Sequence, residues 1–243
     1  MILSWPSASY PIELGDDVHV WAWRTIPTAE RDSLLNAILS AEERERADRF
    51  RFPEDRQRYL TCHANLRTLL ARYAGCEPQG LSFITNEFGK PALKNPAGCE
   101  LLRFNLSHSQ DIGLLAVTRV AAIGADVERI RPIEREVAEA HFSKRELEDL
   151  ASLDAERWLD GFFNCWTRKE AVLKAEGCGL NTPLDAFDVT LLPGESAVLR
   201  EARPEARISQ SWRLEHLQPA PEVVGAIAVG GSFSKLRYFR FAG

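Results

Sequence analysis

Residues 122–130, AIGADVERI, are the stretch on which the fold turns. Ile123, Ala125 and Val127 alternate with Gly124, Asp126 and Glu128, the period-2 pattern of a strand, so the apolar side chains leave one face and the two carboxylates the other. Like charges held that close raise each other's pKa or recruit a cation, and carboxylate oxygens suit a hard ion such as Mg²⁺. The same pattern also suits an edge strand with a solvated polar face.

Upstream of this strand, LSFIT (81–85), LRFNL (102–106) and IGLLAVT (112–118) read as further strands. Before them, DVHVWAWRT (17–25) alternates like a strand, and an amphipathic helix runs from Thr28 to Leu39. Ser40 with Glu43 makes a capping box that opens a charge-dense helix, AEERERADRF. A third helix begins after Pro53, sets Tyr59, His63, Leu66, Leu70 and Tyr73 on one stripe, and stops at Gly75. Downstream the order repeats. Helices are expected near 134–141, 144–151 (Ser143 and Glu146 forming a second capping box) and 155–176, then strands near 187–192, 207–217, 222–229 and 236–241. Helices precede strands twice, which predicts an α+β protein of two lobes, residues 1–122 and 123–243, rather than a parallel βαβ protein. No Pro/Gly/Ser linker marks the junction, so the lobes are expected to pack tightly.

The 243 residues, 45% hydrophobic and 27% charged, exclude a disordered tail, a collagen-like fibre and a low-complexity segment. Thirty Lys and Arg against 35 Asp and Glu give a net charge of -5, so the chain as a whole has no electrostatic bias toward nucleic acid or an anionic membrane. An anionic ligand must be caught by a local basic patch. Met1 to Pro11 does not read as a signal peptide, and no stretch approaches the ~20 apolar residues that span a bilayer. Cys62, Cys76, Cys99, Cys165 and Cys178 are widely spread without a CxxC pair, which fits reduced thiols in a cytoplasmic protein.

A third carboxylate stands out on the segment from Trp158 to Glu176. At about 100° per residue, Phe162, Phe163, Trp166 and Leu173 fall within about 60° of Leu159, and Glu170 lies in the middle of that stripe. This arithmetic points Glu170 at the core. A carboxylate buried there must be protonated, paired or bound to metal. Lys174, one turn on, also makes an ordinary i,i+4 ion pair with Glu170 conceivable, as on many exposed faces. Together with Asp126 and Glu128, Glu170 would complete a three-carboxylate site of the kind that holds Mg²⁺ with waters and phosphates.

Several segments suit phosphate. FNLSHS (104–109) ends a strand in two hydroxyls and a histidine, although Ser107 and His108 also suit a strand-end turn. FGKP (88–91) presents Lys90 from a rigid turn. Arg44, Arg46, Arg49, Arg51, Arg56 and Arg58 form the densest basic region, which Glu42, Glu43, Glu45 and Asp48 largely balance as a solvated helix face.

FGKP (88–91), NLSHS (105–109), IGADVE (123–128) and WTRKEAVLKAEGCGL (166–180) occur here in the order and spacing of a known family. On these motifs the sequence resembles the 4'-phosphopantetheinyl transferases of the larger, Sfp type. The resemblance implies two fused α+β lobes forming an intramolecular pseudo-dimer, with the active site at their interface, in a cytoplasmic monomer. It implies Mg²⁺-dependent transfer of the phosphopantetheine arm of coenzyme A to a serine of an apo acyl or peptidyl carrier protein, with 3',5'-ADP released. Carried onto this chain, Asp126, Glu128 and Glu170 are the metal ligands, Glu170 the general base and Lys174 the group that neutralises the leaving phosphate. Lys90, Ser107, His108, Arg46 and Arg58 match positions that hold coenzyme A. Glu43 stands where some relatives carry lysine, Tyr59 where a small hydroxyl residue is found, and Ala125 replaces a larger aliphatic. The same carboxylates would also serve another Mg²⁺-dependent phosphoryl-group enzyme, such as a pyrophosphatase or nucleotidase. A coenzyme A-binding or carrier-binding module without chemistry is the non-catalytic alternative.

Overall fold

β1 (Val18–Arg24) is followed by the helices α1 (Asp32–Ile38), α2 (Ala41–Asp48) and α3 (Pro53–Ala74), a hairpin of β2 (Phe83–Thr85) and β3 (Pro91–Leu93), and the pair β4 (Arg103–Ser109) and β5 (Ile112–Thr118). β6 (Ile123–Arg129) opens the second half. After it come α4 (Arg135–His141), α5 (Lys144–Ala151), α6 (Trp158–Glu176), β7 (Phe187–Val189), β8 (Leu199–Ala202), β9 (Arg213–Ala220), β10 (Val223–Val229) and β11 (Leu236–Arg240). The computed structural model describes residues 5–8, 13–25, 32–94, 101–179, 182–208 and 211–242, so Thr28, Cys99 and the Met1–Pro11 reading, apart from residues 5–8, lie outside the described residues. The helices-then-strands order holds in both halves, as the α+β reading expects.

Local chemistry explains the boundaries. Both capping boxes form: Ser40 Oγ accepts from Glu43 N at 3.2 Å while Ser40 N donates to Glu43, and Ser143 and Glu146 repeat the exchange at the start of α5. Pro53 opens α3 and Gly75, with φ +65°, ends it in the left-handed region. The short strands β3 and β8 carry too few residues for their alternation to be legible, and Pro91 at the head of β3 reads as a strand breaker. The strand expected at 207–217 lies at 213–220, because a 3₁₀ turn at Pro204–Ala206 intervenes.

One sheet has the order β11-β1-β5-β4 and another the order β6-β10-β9. β1 and β5, β4 and β5, β6 and β10, and β9 and β10 pair antiparallel, whereas β11 returns from the second half to lie parallel to β1. Between the sheets, β4 and β6 are joined by side chains. Asn105 Oδ1 accepts from Ala125 N at 2.8 Å, Ser107 Oγ from Val127 N at 3.3 Å and Ser109 Oγ from Arg129 N at 3.3 Å. Alternate residues of β4 thus satisfy alternate amides of β6, with both strands running the same way.

α6 packs directly on β6. A Cβ at Gly124 would lie 2.1 Å from Ala171 O and 2.3 Å from Ala175 N, so glycine is what lets the helix approach. The expectation that Leu159, Phe162, Phe163, Trp166 and Leu173 mark the one buried stripe of α6 needs correction. Cys165, Thr167, Lys169, Ala171 and Val172, on other sides of the helix, are completely buried, and Leu159, Trp166, Glu170 and Lys174 form its less buried line. A helix enclosed on nearly all sides has no single apolar stripe, so angular arithmetic does not locate its core face. Its most deeply buried charge is Lys169, fully enclosed, 2.8 Å from the equally buried Glu146 and bonded to the carbonyls of Leu184 and Phe187. Glu146 also accepts from Val189 N at 2.8 Å and thereby ties α5, α6 and β7 together.

In the first half Glu43 has a similar role between α2 and α3, accepting from Arg67 Nε at 2.7 Å and facing His63 Nδ1 at 3.3 Å. Burial alone would raise its pKa, but His63, the Ser40 amide and Arg67 hold it down to about 2. A carboxyl depressed in the folded state contributes stability above its unfolded pKa and loses it as pH falls toward the folded value. Glu43→Gln should therefore lower the unfolding free energy by up to about 3 kcal/mol at pH 7, with the gap from wild type narrowing below about pH 4.5 in urea titrations. Glu146→Ala strands the Lys169 ammonium in the core and should cost about 3–5 kcal/mol by the same measurement, whereas the paired replacement Glu146→Leu with Lys169→Met should cost much less.

Candidate active site

Asp126 and Glu128 leave β6 on the face that meets the hydroxyls of β4. Ser107 Oγ donates to Asp126 Oδ1 at 2.9 Å, and Ser109 Oγ donates to Glu128 Oε2 at 2.5 Å. From α6, Lys174 Nζ reaches Asp126 Oδ1 at 2.6 Å and Ser107 Oγ at 3.2 Å. Arg131 Nη1 approaches Glu128 Oε2 at 3.1 Å. Asp126 Oδ2 is buried and has no hydrogen-bond partner among the described residues. Glu170, one turn before Lys174 and half-buried, makes no hydrogen bond among the described residues and borders a cavity of about 280 Å³ with Phe88, Lys90, Leu106, Leu173 and Lys174.

The carboxylates feel one another. Burial raises the pKa of Glu170, the charges of Asp126 and Glu128 raise it further, and Lys174 offsets part of the shift. Glu128 is raised by burial and by Asp126, against the pull of Ser109 and Arg131. Burial by itself would lower Lys174, but Asp126 beside it, with Glu170 and Glu128 behind, carries its pKa upward. Three carboxylates therefore stand against two cations, Lys174 at Asp126 and the more exposed Arg131 at Glu128, and the excess negative charge attracts a further cation.

As placed, no three His, Cys, Asp or Glu side chains among the described residues form a ready ligand cluster, and Lys174 lies on Asp126. Mg²⁺ is commonly held by one or two carboxylates, with waters and substrate phosphates completing the shell. The orphaned Asp126 Oδ2 and the unpartnered Glu170 are oxygen donors of that type, so the residues present fit such an ion in charge and chemistry.

Further basic side chains stand on β4, α3 and α2. His108, exposed on β4, is held below the usual imidazole range by partial desolvation and by Lys174, His63 and Arg58. His63 stacks on Tyr59 with ring centroids 4.0 Å apart, and Arg46 lies 5.7 Å from the Tyr59 centroid. Arg58 is tied to Asp55 at 2.6 Å. Tyr59 thus brings Arg46 and His63 together, and the charges of Lys174, His63 and Arg58 are all felt at His108. Sequence reading placed His63 on the α3 stripe without assigning it to this basic group; its position four residues after Tyr59 on a basic helix was the available signal. Tyr59 supplies the ring that Arg46 and His63 flank.

Two residues that the resemblance places on coenzyme A have protein partners instead. Lys90 Nζ donates to Ile123 O at 3.1 Å and Ala175 O at 2.9 Å, and burial lowers its pKa to about 8. Ser107 gives its hydroxyl proton to Asp126 and accepts from both Val127 N and Lys174 Nζ. Asn105, which binds the amide of Ala125, was passed over because an amide side chain in a strand carries no signal of its own.

Among the described residues no helix is long and apolar enough to cross a membrane. Comparison with known proteins matches residues 22–120 to a model described as "4'-phosphopantetheinyl transferase, N-terminal" and residues 122–228 to the 4'-phosphopantetheinyl transferase superfamily. The chain is 40% identical over 223 residues to 4'-phosphopantetheinyl transferase HetI of Nostoc sp., covering 90% of each chain. It is 35% identical over 162 residues to 4'-phosphopantetheinyl transferase Sfp of Bacillus subtilis, covering 67% of this chain and 70% of that one. Against a phosphopantetheinyl transferase of Thraustochytrium sp. the identity is 30% over 251 residues, covering 93% and 85%. With adjoining matches on either side of the β5–β6 junction, and relatives this similar along most of its length, the chain belongs to the 4'-phosphopantetheinyl transferase superfamily and is a two-lobed α+β enzyme of that class.

Proposed function

We propose that the protein transfers the 4'-phosphopantetheine arm of coenzyme A to a serine of an apo acyl or peptidyl carrier protein and releases 3',5'-ADP. The observation that carries this reading is the meeting of Glu170 and Lys174 at one cavity lined by the 88–91 turn, β4 and α6, with Lys174 also bonded to Asp126 of β6. In the reaction the serine oxygen attacks the phosphorus that bears the pantetheine arm, and the P–O bond to the departing nucleotide breaks. Glu170 takes the serine proton, directly or through water, as its enclosed setting makes it more basic than an exposed carboxylate. Lys174 faces the charge that develops on the leaving phosphate and stabilises it more than the ground state. Asp126, Glu128 and Glu170 would be the residues to hold Mg²⁺, which would supply charge neutralisation for the diphosphate.

Arg46, Arg58 and His108 are suited to the phosphates of coenzyme A as basic groups, with His108 close enough to Lys174 and Arg58 to feel their charge. For Lys90 and Ser107 to serve there as well, phosphate would have to displace bonds each already makes within the protein. We assign the chain to the cytoplasm, as a monomer without nucleic-acid or membrane partners. Its lobes are residues 1–122 and 123–243, with β11 lent to the first sheet.

The test is to incubate the protein with coenzyme A, Mg²⁺ and an apo carrier domain and to weigh the carrier by mass spectrometry. Gain of one phosphopantetheine arm is expected; 3',5'-ADP without carrier modification would point to a hydrolase, and binding without either product to a non-catalytic module. Glu170→Gln and Asp126→Ala should each lower turnover by roughly 100-fold or more while leaving the fold intact by circular dichroism. Near wild-type rates in either variant would overturn the assignment. His108→Ala should raise KM for coenzyme A several-fold with kcat nearly unchanged, the signature of lost uniform binding.

A further inference from the structure

The C-terminal end of α6 leaves carbonyls without intrahelical partners, as every helix does. Leu173 O accepts from Gly177 N at 2.9 Å, and Gly177, with φ +71°, turns the chain away. The next acceptors are satisfied from the first half of the chain. Lys90 Nζ donates to Ala175 O at 2.9 Å, and Asn86 Nδ2 donates to Gly177 O at 2.8 Å. The turn that carries both residues is held in shape by the same asparagine, whose Oδ1 accepts from Phe88 N at 3.0 Å and Lys90 N at 2.8 Å. A Cβ at Gly177 would lie 3.0 Å from Lys90 Cδ and 3.1 Å from Asn86 Nδ2, so the turn sits directly on the helix cap. Lys90 Nζ makes a second bond, to Ile123 O at 3.1 Å, at the first residue of β6.

One ammonium therefore ties the start of the strand that carries Asp126 to the last turn of the helix that carries Glu170 and Lys174. A cation at a helix C-terminus is also favoured by the helix dipole. We propose that Asn86 and Lys90 are positioning residues: a cap for α6, supplied by the first half of the chain, that clamps the last turn of α6 to the start of β6 and thereby keeps Glu170 and Lys174 aligned with Asp126. The proposal rests on the reading of these three residues as the reacting machinery. It differs from a phosphate-binding role for Lys90 in that Asn86, which that role does not involve, is equally required.

The experiment measures kcat and KM for coenzyme A on a saturating apo carrier domain for wild type, Lys90→Met, Asn86→Ala and Asn86→Asp. Asn86→Asp keeps the acceptor that shapes the turn but removes the donor to Gly177 O. Small displacements of reacting groups are costly, so Lys90→Met, Asn86→Ala and Asn86→Asp should each lower kcat by roughly 10- to 100-fold with KM for coenzyme A within about twofold of wild type. The double variant Lys90→Met with Asn86→Asp should fall no further than the worse single one, because both remove the same constraint. A rise in KM for Lys90→Met at unchanged kcat, or unchanged kcat in Asn86→Asp, would overturn the proposal, and the second criterion decides alone if Lys90→Met fails to fold. A wild-type protein that transfers nothing would instead sink the reading of the site itself.

Discussion

The contact between α6 and β6 at Gly124 is the constraint from which the rest of the site follows. Because a side chain there would penetrate the backbone of Ala171 and Ala175, the helix rests on the strand at a separation set by main-chain atoms. Asp126 is two residues along the strand from that contact, and Glu170 and Lys174 flank Ala171 and Ala175 on the helix. Close approach is what brings Lys174 Nζ to 2.6 Å from Asp126 Oδ1. The arrangement sets unlike charges together and like charges nearby. It stays soluble in the interior only because each ion has a named counterpart or an opening to the cavity.

The second half supports this geometry from behind with another pair of buried ions. Lys169 lies beside Glu170 in sequence but points the other way, into a fully enclosed setting with Glu146 and two carbonyls. Neighbouring charged residues on one helix thus divide two tasks. One anchors α6 to α5 and β7, and the other faces the cavity. Rotation of the helix about its axis would displace the anchoring ion from its enclosed setting, so the Lys169–Glu146 pair resists the motion that would most disturb Glu170.

Much of this was legible in the residues. The period-2 pattern of 122–130, the two capping boxes and the Pro53-to-Gly75 helix follow from local rules, and the structure shows all of them. The motifs from 88 to 179 do come together, yet two were assigned the wrong surroundings by reasoning on single elements. Glu170 was placed at the centre of an apolar stripe, whereas it lies on the more open line of a helix buried on most sides. Lys90 was read as a lysine presented from a surface turn, whereas the turn folds onto Gly177, 87 positions away, and its ammonium is half-enclosed among carbonyls. Both errors have one source. Periodicity reports how an element divides apolar from polar, but not which other element covers it, and that is decided by contacts far apart in the chain.

The seam between β4 and β6 shows how two lobes can be joined without merging their sheets. A backbone ladder would need nothing from the side chains, and either strand could then slide by two residues at little cost in pattern. Here the acceptors are Asn105, Ser107 and Ser109, each matched to an amide twenty positions later, so a shift of two leaves one amide and one side chain unpaired at about 1 kcal/mol or more each. The register is therefore specified by three particular residues. Two of them then turn their hydroxyl protons toward Asp126 and Glu128. The same atoms that align the lobes orient the carboxylates, and so the geometry of the site is inseparable from the way the halves are joined.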